Sequence, residues 1–409
     1  MEEIRSVCSK KEDSFSAGKE IGEKLADISP EFVFLFSSVK YDFNKLIKGV
    51  LSQTETIVSG GSSAGGICNG KIIEEGVVAL GFNSEHLCFG SGIGTGISKN
   101  PVEAGVSSIQ NAISSLKENK KKLIRIFARY YPVAINDPTH MIFERPNFAI
   151  TTFIDGLSNS EESVLKGITQ DFTTPLPLIG GSLADDLRLE KTFQICNNKV
   201  YKNSVVTTIL VSDSRFGFSV SHGWSKMEET ALVTKSKGRR VFELNNRPAV
   251  ETYAEMLNLK PETLIKEKEI AFGTGLSHPL GAITLDGSYW LKHPQRVLED
   301  GSITFFSTVP KGVALIATEG NPDDLIETGI NTAKKAISVI DNVSALFVFN
   351  CIARKAFLGN RAEEEIKKIY ELAGVPIIGF YTYGEQSFTS TTPISHRNQT
   401  ISIMAIEGK

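Results

Sequence analysis

The sequence predicts an α/β (α+β) protein with mixed β-sheets covered by helices. The prediction rests on a strand-helix-strand-turn-strand unit that occurs three times along the chain. Each copy runs from an apolar segment through an amphipathic helical pattern to a second apolar run, and a turn rich in Gly or polar residues follows. The three turns occupy residues 60–66, 180–186 and 379–385. Because Gly lets the backbone approach a ligand closely, we expect the turns to converge on a binding site.

In the first unit, the apolar run at residues 32–36 predicts a buried strand. The helix after it is predicted by apolar residues at helical spacing: Phe43, Leu46, Ile47, Val50 and Leu51. Residues 56–59 lead into the first turn, and residues 76–82 predict a returning strand. Asn100 and Pro101 then mark the start of another helix, because they are a cap residue and a Pro at the first helical position.

The second and third units repeat this order. The second predicts a strand, a helix, a strand and a final strand at residues 147–154, 160–170, 176–179 and 205–211. The third predicts the same four elements at residues 345–351, 361–373, 375–378 and 400–406. A polar stretch at residues 245–248 separates them and is typical of a domain boundary. We therefore divide the chain into an N-terminal segment (1–30) and two domains (31–245 and 246–409).

Composition excludes several classes of protein. The chain has 409 residues, 41% of them hydrophobic, and a net charge of -3, so no affinity for nucleic acid is expected. No apolar stretch approaches the ~20 residues of a membrane helix. The five cysteines are odd in number and lack a C-x-x-C pair, which argues against a disulfide framework and a structural zinc site. A reducing, cytoplasmic location fits best.

The three turns supply most of the candidate ligand-binding residues. Exposed N–H groups of a Gly-rich turn can cradle an anion, and acidic side chains can hold an ammonium group. The alternative is that Gly only permits a bend between strands. The candidates in the turns are Gly61, Ser62, Ser63, Gly65, Gly181, Ser182, Asp185, Asp186, Phe380, Tyr383, Gly384 and Glu385.

Residues 90–96, which alternate Gly with other residues, fit neither the G-x-G-x-x-G nor the P-loop pattern. We predict a flexible crossing from a strand to the helix that starts near Asn100. Arg354 follows the apolar strand of the third unit. It is either a clamp for a carboxylate or a surface ion pair.

Two further chemistries stay open. Residues 61–65 satisfy the five-letter G-x-S-x-G pattern with Ser63 in the nucleophile position, which would make a hydrolase. A single histidine can hold haem iron without a local signature, and His222 and His278 are the candidates. The histidine spacing predicts no zinc site.

The motifs in this order resemble the FIST family, a two-part sensory module of signalling proteins. The N-terminal part is similar at residues 60–66, 180–186, 221–224 and 233–235, and the C-terminal part at residues 351–354, 358–359, 376–380, 383–385 and 398–400. The resemblance implies a sensor of small ligands such as amino acids, and some members are haem proteins that sense nitric oxide. It implies no catalytic residue. No output module fits in this length, so the output would pass to a separate partner, such as a histidine kinase or a chemoreceptor.

These observations give one hypothesis for the site. Asp185, Asp186 and Glu385 hold a cationic group of the ligand. Arg354 and the N–H groups of residues 60–66 hold an anionic group. The apolar wall comes from Trp224, Phe380 and Tyr383. We expect a non-enzymatic sensor without a bound cofactor, with the haem sensor, the Ser63 hydrolase and a protein-interaction scaffold as alternatives.

Overall fold

The computed structural model describes residues 2–128, 148–389 and 392–409, so the first position of the strand predicted at 147–154 lies outside the described residues. The predicted fold class is confirmed: mixed β-sheets are covered by helices, and three copies of one unit build most of the chain. Among the helices described, none is both long enough and apolar enough to cross a membrane.

The first unit contains two helices and six strands. Residues 1–30, for which no element was predicted, supply an edge strand and a helix of this unit. In order, the elements are β1 (Glu2–Ser9), α1 (Ser14–Leu25), β2 (Phe32–Ser37), α2 (Phe43–Leu51), β3 (Ile57–Ser62), β4 (Gly66–Cys68), β5 (Lys71–Ile73) and β6 (Val77–Ser84). Asp13 and Asp42 cap the two helices by accepting hydrogen bonds from N–H groups of the first turn.

The second unit follows the same plan with one extra helix. Its elements are β7 (Leu87–Thr95), α3 (Pro101–Glu118), α4 (Lys120–Ala128), β8 (Phe148–Asp155), α5 (Glu161–Thr169), β9 (Leu178–Leu183), β10 (Gln194–Cys196), β11 (Lys199–Tyr201) and β12 (Ser204–Ser212).

The third unit is interrupted after its first strand, β13 (Phe216–Ser221), by an inserted sheet with its own helices. The insertion comprises β14 (Ser225–Lys237), β15 (Arg240–Leu244), β16 (Arg247–Pro248), α6 (Ala249–Met256), α7 (Pro261–Glu267), α8 (Thr274–Ser277), β17 (Leu280–Ile283), β18 (Tyr289–Lys292), β19 (Pro294–Val297), β20 (Ile303–Phe305) and β21 (Ala314–Glu319). The unit then resumes with α9 (Pro322–Ile337), β22 (Val343–Cys351), α10 (Ile352–Leu358), α11 (Ala362–Ala373), β23 (Ile377–Thr382), β24 (Glu385–Thr389), β25 (Thr392–Arg397) and β26 (Ile401–Glu407).

The three units exchange hairpins in a ring. Their sheets have equivalent strand orders, β1-β6-β2-β3-β10-β11, β7-β12-β8-β9-β24-β25 and β13-β26-β22-β23-β4-β5. In each sheet the last two strands are the hairpin that follows the turn of another unit. The first unit gives its hairpin to the third, the second to the first, and the third to the second. The three units found in the sequence are therefore present in the structure, but the last two strands of each sheet come from another unit.

The prediction of a flexible crossing at residues 90–96 is wrong, because strand β7 runs through them. A Cβ at Gly90, Gly92 or Gly94 would lie 2.5 Å or less from an atom of α3. At Gly94 it would lie 1.8 Å from the carbonyl oxygen of Ala104. Since alternate strand residues face one side of a sheet, these glycines let α3 lie directly against the strand. They serve helix packing and mark no loop.

Phenylalanine rings from all three units form the central core. Phe36, Phe153 and Phe349 occupy equivalent positions near the carboxyl ends of β2, β8 and β22 and are fully buried. The Phe153 ring lies 5.1 Å from that of Phe36 and 6.3 Å from that of Phe349, measured between centroids. Phe380 stands at the position of β23 that is equivalent to Gly61 and Gly181 in β3 and β9. Its ring lies 4.3 Å from that of Phe36. The units are thus joined by both strand pairing and ring packing.

Candidate ligand-binding site

The three turns meet at the carboxyl ends of the parallel strands, as predicted. They are tied together by hydrogen bonds between main-chain atoms. The pairs are Ala64 N–H to Tyr381 O (3.1 Å), Tyr381 N–H to Gly65 O (2.9 Å), Ser182 N–H to Gly384 O (2.8 Å), Tyr383 N–H to Ser182 O (3.0 Å) and Asp186 N–H to Ser63 O (3.2 Å). Gly65 and Gly384 have φ angles of 111° and 129°, which L side chains rarely adopt. The five N–H groups named above thus donate to neighbouring turns and fix the shape of this end of the sheets.

The serines of the turns differ in their contacts. Ser62 Oγ accepts the N–H of Phe193 at 3.0 Å, and Ser182 Oγ accepts from Gln386 Nε2 at 2.9 Å. Ser63 Oγ is buried and has no hydrogen-bond partner among the described residues. Among the described residues, no histidine or carboxylate that could act as a general base lies within hydrogen-bonding distance of Ser63 Oγ.

The acidic side chains of the second turn hold the chain after it. The Asp185 carboxylate accepts the N–H groups of Leu189, Glu190 and Lys191 at 2.7–3.0 Å and the hydroxyl of Tyr383 at 2.6 Å. The Asp186 carboxylate accepts the Ser38 hydroxyl at 2.7 Å and the Val39 N–H at 3.1 Å, and burial raises the pKa of Asp186. Both side chains therefore connect the second turn to its neighbours.

Leu187 and Leu189, which follow these two acids, have φ angles of 62° and 57°. The left-handed conformation costs a non-Gly residue roughly 1–2 kcal/mol. Both side chains are nevertheless largely exposed. The hydrogen bonds from the loop to Asp185 hold it in this unfavourable conformation.

Glu385 lies fully buried in the third turn. Its carboxylate accepts hydrogen bonds from the Thr382 hydroxyl and from the N–H (3.2 Å) and hydroxyl (2.6 Å) of Thr400. Burial raises the pKa of Glu385 from 4.5 to about 7 despite these hydrogen bonds.

The raised pKa of Glu385 predicts a specific dependence of stability on pH. Above about pH 4.5 the unfolded chain releases the Glu385 proton while the folded chain keeps it, so stability should fall up to about pH 7. The fall should amount to about 3 kcal/mol. This fall in stability should be absent in Glu385→Gln, because the amide does not titrate. Urea unfolding at a series of pH values measures this, with Glu23→Gln on α1 as the control. An unchanged slope in Glu385→Gln would contradict the prediction.

Arg354 lies in a buried ion pair with Glu365. Its guanidinium also donates to Asn350 Oδ1 at 3.1 Å and to the carbonyl oxygens of Leu325 (3.0 Å) and His222. The ring of Trp224, which is 2% exposed, lies 5.9 Å from the guanidinium carbon. Of the two roles predicted for Arg354, the surface ion pair is wrong, because both partners are fully buried.

A cavity of about 240 Å³ opens between the turns and the inserted sheet. The ends of β8 and β22 form its floor, the loop after the second turn forms one side, and the insertion covers it. It is lined by Gly156, Leu157, Asn159, Glu161, Leu187, Leu189, Arg239, Phe272, His293, Gln295, Phe306, Cys351, Ile352, Ala353, Tyr383 and Asn398. Tyr383 is the one member of the predicted set among these lining residues.

Most of the cavity wall is apolar, and its charged groups lie together on one side. The Arg239 guanidinium contacts Glu161 at 2.5 Å, Glu162 at 3.1 Å and Asn159 Oδ1 at 2.8 Å. Burial lowers the pKa of His293 to about 4, so this ring is neutral, and its Nε2 bonds to the carbonyl of Ala271 at 2.8 Å. The cavity thus presents one cation and one anion to a ligand, with apolar surface around them.

The sequence interpretation missed most of these residues. Leu187 and Leu189 directly follow the second turn, and residues 351–353 directly precede Arg354. Their closeness in sequence to these predicted site residues was the signal that could have identified them. Arg239 lies in the turn between β14 and β15. No periodicity or motif marks Phe272, His293 or Phe306, because the insertion brings them to the turns through tertiary packing.

Neither histidine proposed for haem lines the cavity. His222 Nδ1 accepts the N–H of Trp224 at 3.1 Å, and burial lowers the pKa of His222 to about 4. His278 Nδ1 lies 2.8 Å from Ser277 Oγ. The cavity is also smaller than the ~300–1,000 Å³ of pockets for drug-sized ligands. The cavity and these two histidines do not fit a porphyrin.

The fold and cavity define an α/β protein of three interlocked units with room for a small ligand where they meet. The FIST N domain matches residues 31–247 and the FIST C domain matches residues 249–387. The chain belongs to the FIST family, whose domains are associated with sensory signal transduction.

Comparisons with individual proteins and solved structures add no information about the function of this chain. An uncharacterised protein of Methanocaldococcus jannaschii is 26% identical over 391 residues, which cover 91% of this chain and 69% of that protein. A cyanuric acid hydrolase from A. caulinodans aligns over 100% of both chains with a TM-score of 0.35 and 8% identity. T. maritima PurL complexed with FGAR gives a TM-score of 0.19 at 10% identity, over 99% of this chain and 73% of that one. These TM-scores are too low to carry an argument about fold or activity.

Proposed function

We propose that the protein is a sensor that binds a small polar molecule, such as an amino acid, in the cavity between the turns and the inserted sheet. The observation that carries the proposal is the cavity of about 240 Å³, which combines an apolar wall with Arg239 and Glu161. Pockets of this kind, mostly apolar with a few convergent polar groups, are the usual form of small-molecule sites.

The charges suggest how an amino acid would lie. Its carboxylate would pair with Arg239 and its ammonium group with Glu161, each group exchanging part of the existing ion pair for the ligand. The side chain would pack against Leu157, Phe306 and Ile352. Asp185 of the second turn then acts by holding the loop that forms one side of the cavity, and Tyr383 contacts the ligand directly.

The loop of Leu187 and Leu189 offers a way for binding to be transmitted. A ligand shifts a conformational equilibrium only through contacts that differ between the two states. Both leucines line the cavity and have strained backbones, so a ligand that packs on them would stabilise this loop conformation. We propose that a separate signalling protein, such as a histidine kinase or a chemoreceptor, recognises the resulting surface.

Filling the cavity should abolish ligand binding. Leu157→Trp places a large ring in the cavity and should remove the thermal stabilisation that a bound amino acid gives. For the wild type at about 100 times the Kd, that stabilisation is about 2.7 kcal/mol. The measurement is a melting-temperature screen against amino acids and small carboxylic acids, followed by calorimetric titration of the hits.

Leu372→Trp, at an exposed position of α11, is the matched control and should bind as the wild type does. Binding retained by Leu157→Trp would overturn the assignment of the site. A screen without any hit would argue against an amino acid or small acid as ligand. An absorbance spectrum of the purified protein tests the haem alternative through its Soret band. Ester hydrolysis abolished by Ser63→Ala would establish the hydrolase alternative.

A further inference from the structure

Two cysteines far apart in the sequence lie together in the fold. Cys8 is in the edge strand β1, and Cys68 is in β4, the hairpin strand that the first unit gives to the third. Ser6 Oγ lies 3.2 Å from Cys68 Sγ. Ser6 and Cys8 point to the same face of β1, because alternate residues of a strand share a face. Cys8 packs against the core cluster that contains Cys68, on the strand that Ser6 shares and that packs against β4.

The surroundings make the two thiols unequal. The hydrogen bond from Cys68 lowers the pKa of Cys8 to about 6, burial opposes this change, and the charge of Lys24 adds to it. The hydrogen bond to Cys8 and burial both raise the pKa of Cys68. Cys8 is partly exposed, whereas Cys68 is buried. A thiolate is the reactive form of cysteine, and the partly exposed Cys8, with its lowered pKa, is the one of the two that a peroxide can reach.

The other three cysteines lack these features. Cys88, Cys196 and Cys351 are all buried. Burial raises the pKa of Cys88 and of Cys196 to about 12, and it raises the pKa of Cys351 as well. Buried thiols of this kind are inert, which gives the chain three internal references for reactivity.

We propose that Cys8 and Cys68 form a reversible disulfide when a hydroperoxide oxidises the protein. The Cys8 thiolate attacks one peroxide oxygen, the O–O bond breaks, and the leaving oxygen takes up a proton. Cys8 is then a sulfenic acid. The Cys68 sulfur attacks the Cys8 sulfur, the S–O bond breaks, and hydroxide leaves with the Cys68 proton as water. With hydrogen peroxide the balance is two thiols oxidised to one disulfide and the peroxide reduced to two waters.

The position of this bond gives it a consequence for the fold. It would join the first strand of the chain to a hairpin that pairs with β23, more than half the chain away. Oxidation would therefore link the sheet that contains β1 to the sheet that contains β4 and β23, without involving the cavity or its lining residues. The proposal is independent of the proposed ligand.

The test uses the full chain in its reduced form and hydrogen peroxide. Peptide mapping after oxidation should show Cys8 linked to Cys68, and free-thiol labelling should fall by two cysteines per chain. Dithiothreitol should restore both. In Cys68→Ser, Cys8 should stop at the sulfenic acid, which dimedone captures. In Cys8→Ser, Cys68 should stay reduced.

Cys196→Ser replaces another buried core cysteine and is the matched control; it should form the disulfide as the wild type does. A variant that fails to fold is recognised by circular dichroism, and the wild-type peptide map still decides the question. Peroxide treatment that leaves Cys8 and Cys68 unlinked, or that oxidises Cys88, Cys196 or Cys351 at the same rate, would overturn the proposal.

Discussion

Replacing Arg354 with methionine should lower the free energy of unfolding by about 3–5 kcal/mol. The Arg354 guanidinium and the Glu365 carboxylate are both fully buried. Methionine keeps most of the side-chain volume but leaves Glu365 charged without its partner. The carbonyl of Leu325 and the amide oxygen of Asn350 lose a donor as well. Urea unfolding followed by the fluorescence of the two tryptophans measures the change.

Arg361→Met is the matched control, since Arg361 pairs with Asp323 and Glu364 at the surface. Exposed ion pairs contribute about 0–1 kcal/mol, so this variant should lose no more than that. The double variant Arg354→Met/Glu365→Met removes both buried charges and should recover part of the loss. Equal effects of Arg354→Met and Arg361→Met would show that the buried pair is not a major contribution to stability.

Phe153→Ala should destabilise the protein by about 3–5 kcal/mol. Phe153 belongs to the second unit, and its fully buried ring contacts rings of the other two. Its centroid lies 5.1 Å from that of Phe36 and 6.2 Å from that of Phe380. Removing it opens a space that three sheets share, and the strand pairing between units restricts how far the surrounding residues can move into it. The same urea experiment measures the loss.

Phe15→Ala is its control, because Phe15 on α1 is 41% exposed. Surface substitutions of this kind are usually within about 0.5 kcal/mol of the wild type. Phe153→Leu, which fills part of the space, should fall between the two. A loss below 1 kcal/mol in Phe153→Ala would mean that the shared core is not a main source of the stability of the fold.

The repeated unit was predictable because its signals are local. An apolar strand, an amphipathic helix and a Gly-rich turn each depend on residues close in sequence, and their threefold recurrence reinforced the interpretation. The convergence of the turns followed from placing each of them at the carboxyl end of a buried strand. Both expectations are confirmed by the sheet orders and by the hydrogen bonds between turns.

The exchanged hairpins were not predictable in the same way. β4, β5, β10 and β11 are only three residues long, too short for a pattern of period two to be recognised. β4 and β10 also pair with strands of other units. The prediction of a flexible crossing at the glycines of β7 was wrong for a related reason. These glycines allow the close approach of α3, which is a tertiary contact that composition does not reveal.

The cavity escaped prediction because no single segment contains it. Arg239 and Phe306 come from the insertion, Leu157 from the second unit and Ile352 from the third. The pair Cys8 and Cys68 escaped for the same reason. Spacing in the sequence gave no indication that they are near each other, whereas the packing of β1 against β4 brings these two parts of the chain together.

The ring of exchanged hairpins also has a consequence for how the chain must be synthesised and folded. The third sheet needs β4 and β5, which leave the ribosome early, and the second needs β24 and β25, which leave it late. A nascent chain that ends after residue 247 therefore exposes unpaired strand edges, which favour aggregation. Contacts as distant as Ser6 Oγ to Ile377 O close the structure, and such nonlocal contacts slow folding. Because their sheets share strands, we expect the two halves that sequence comparison separates to fold together.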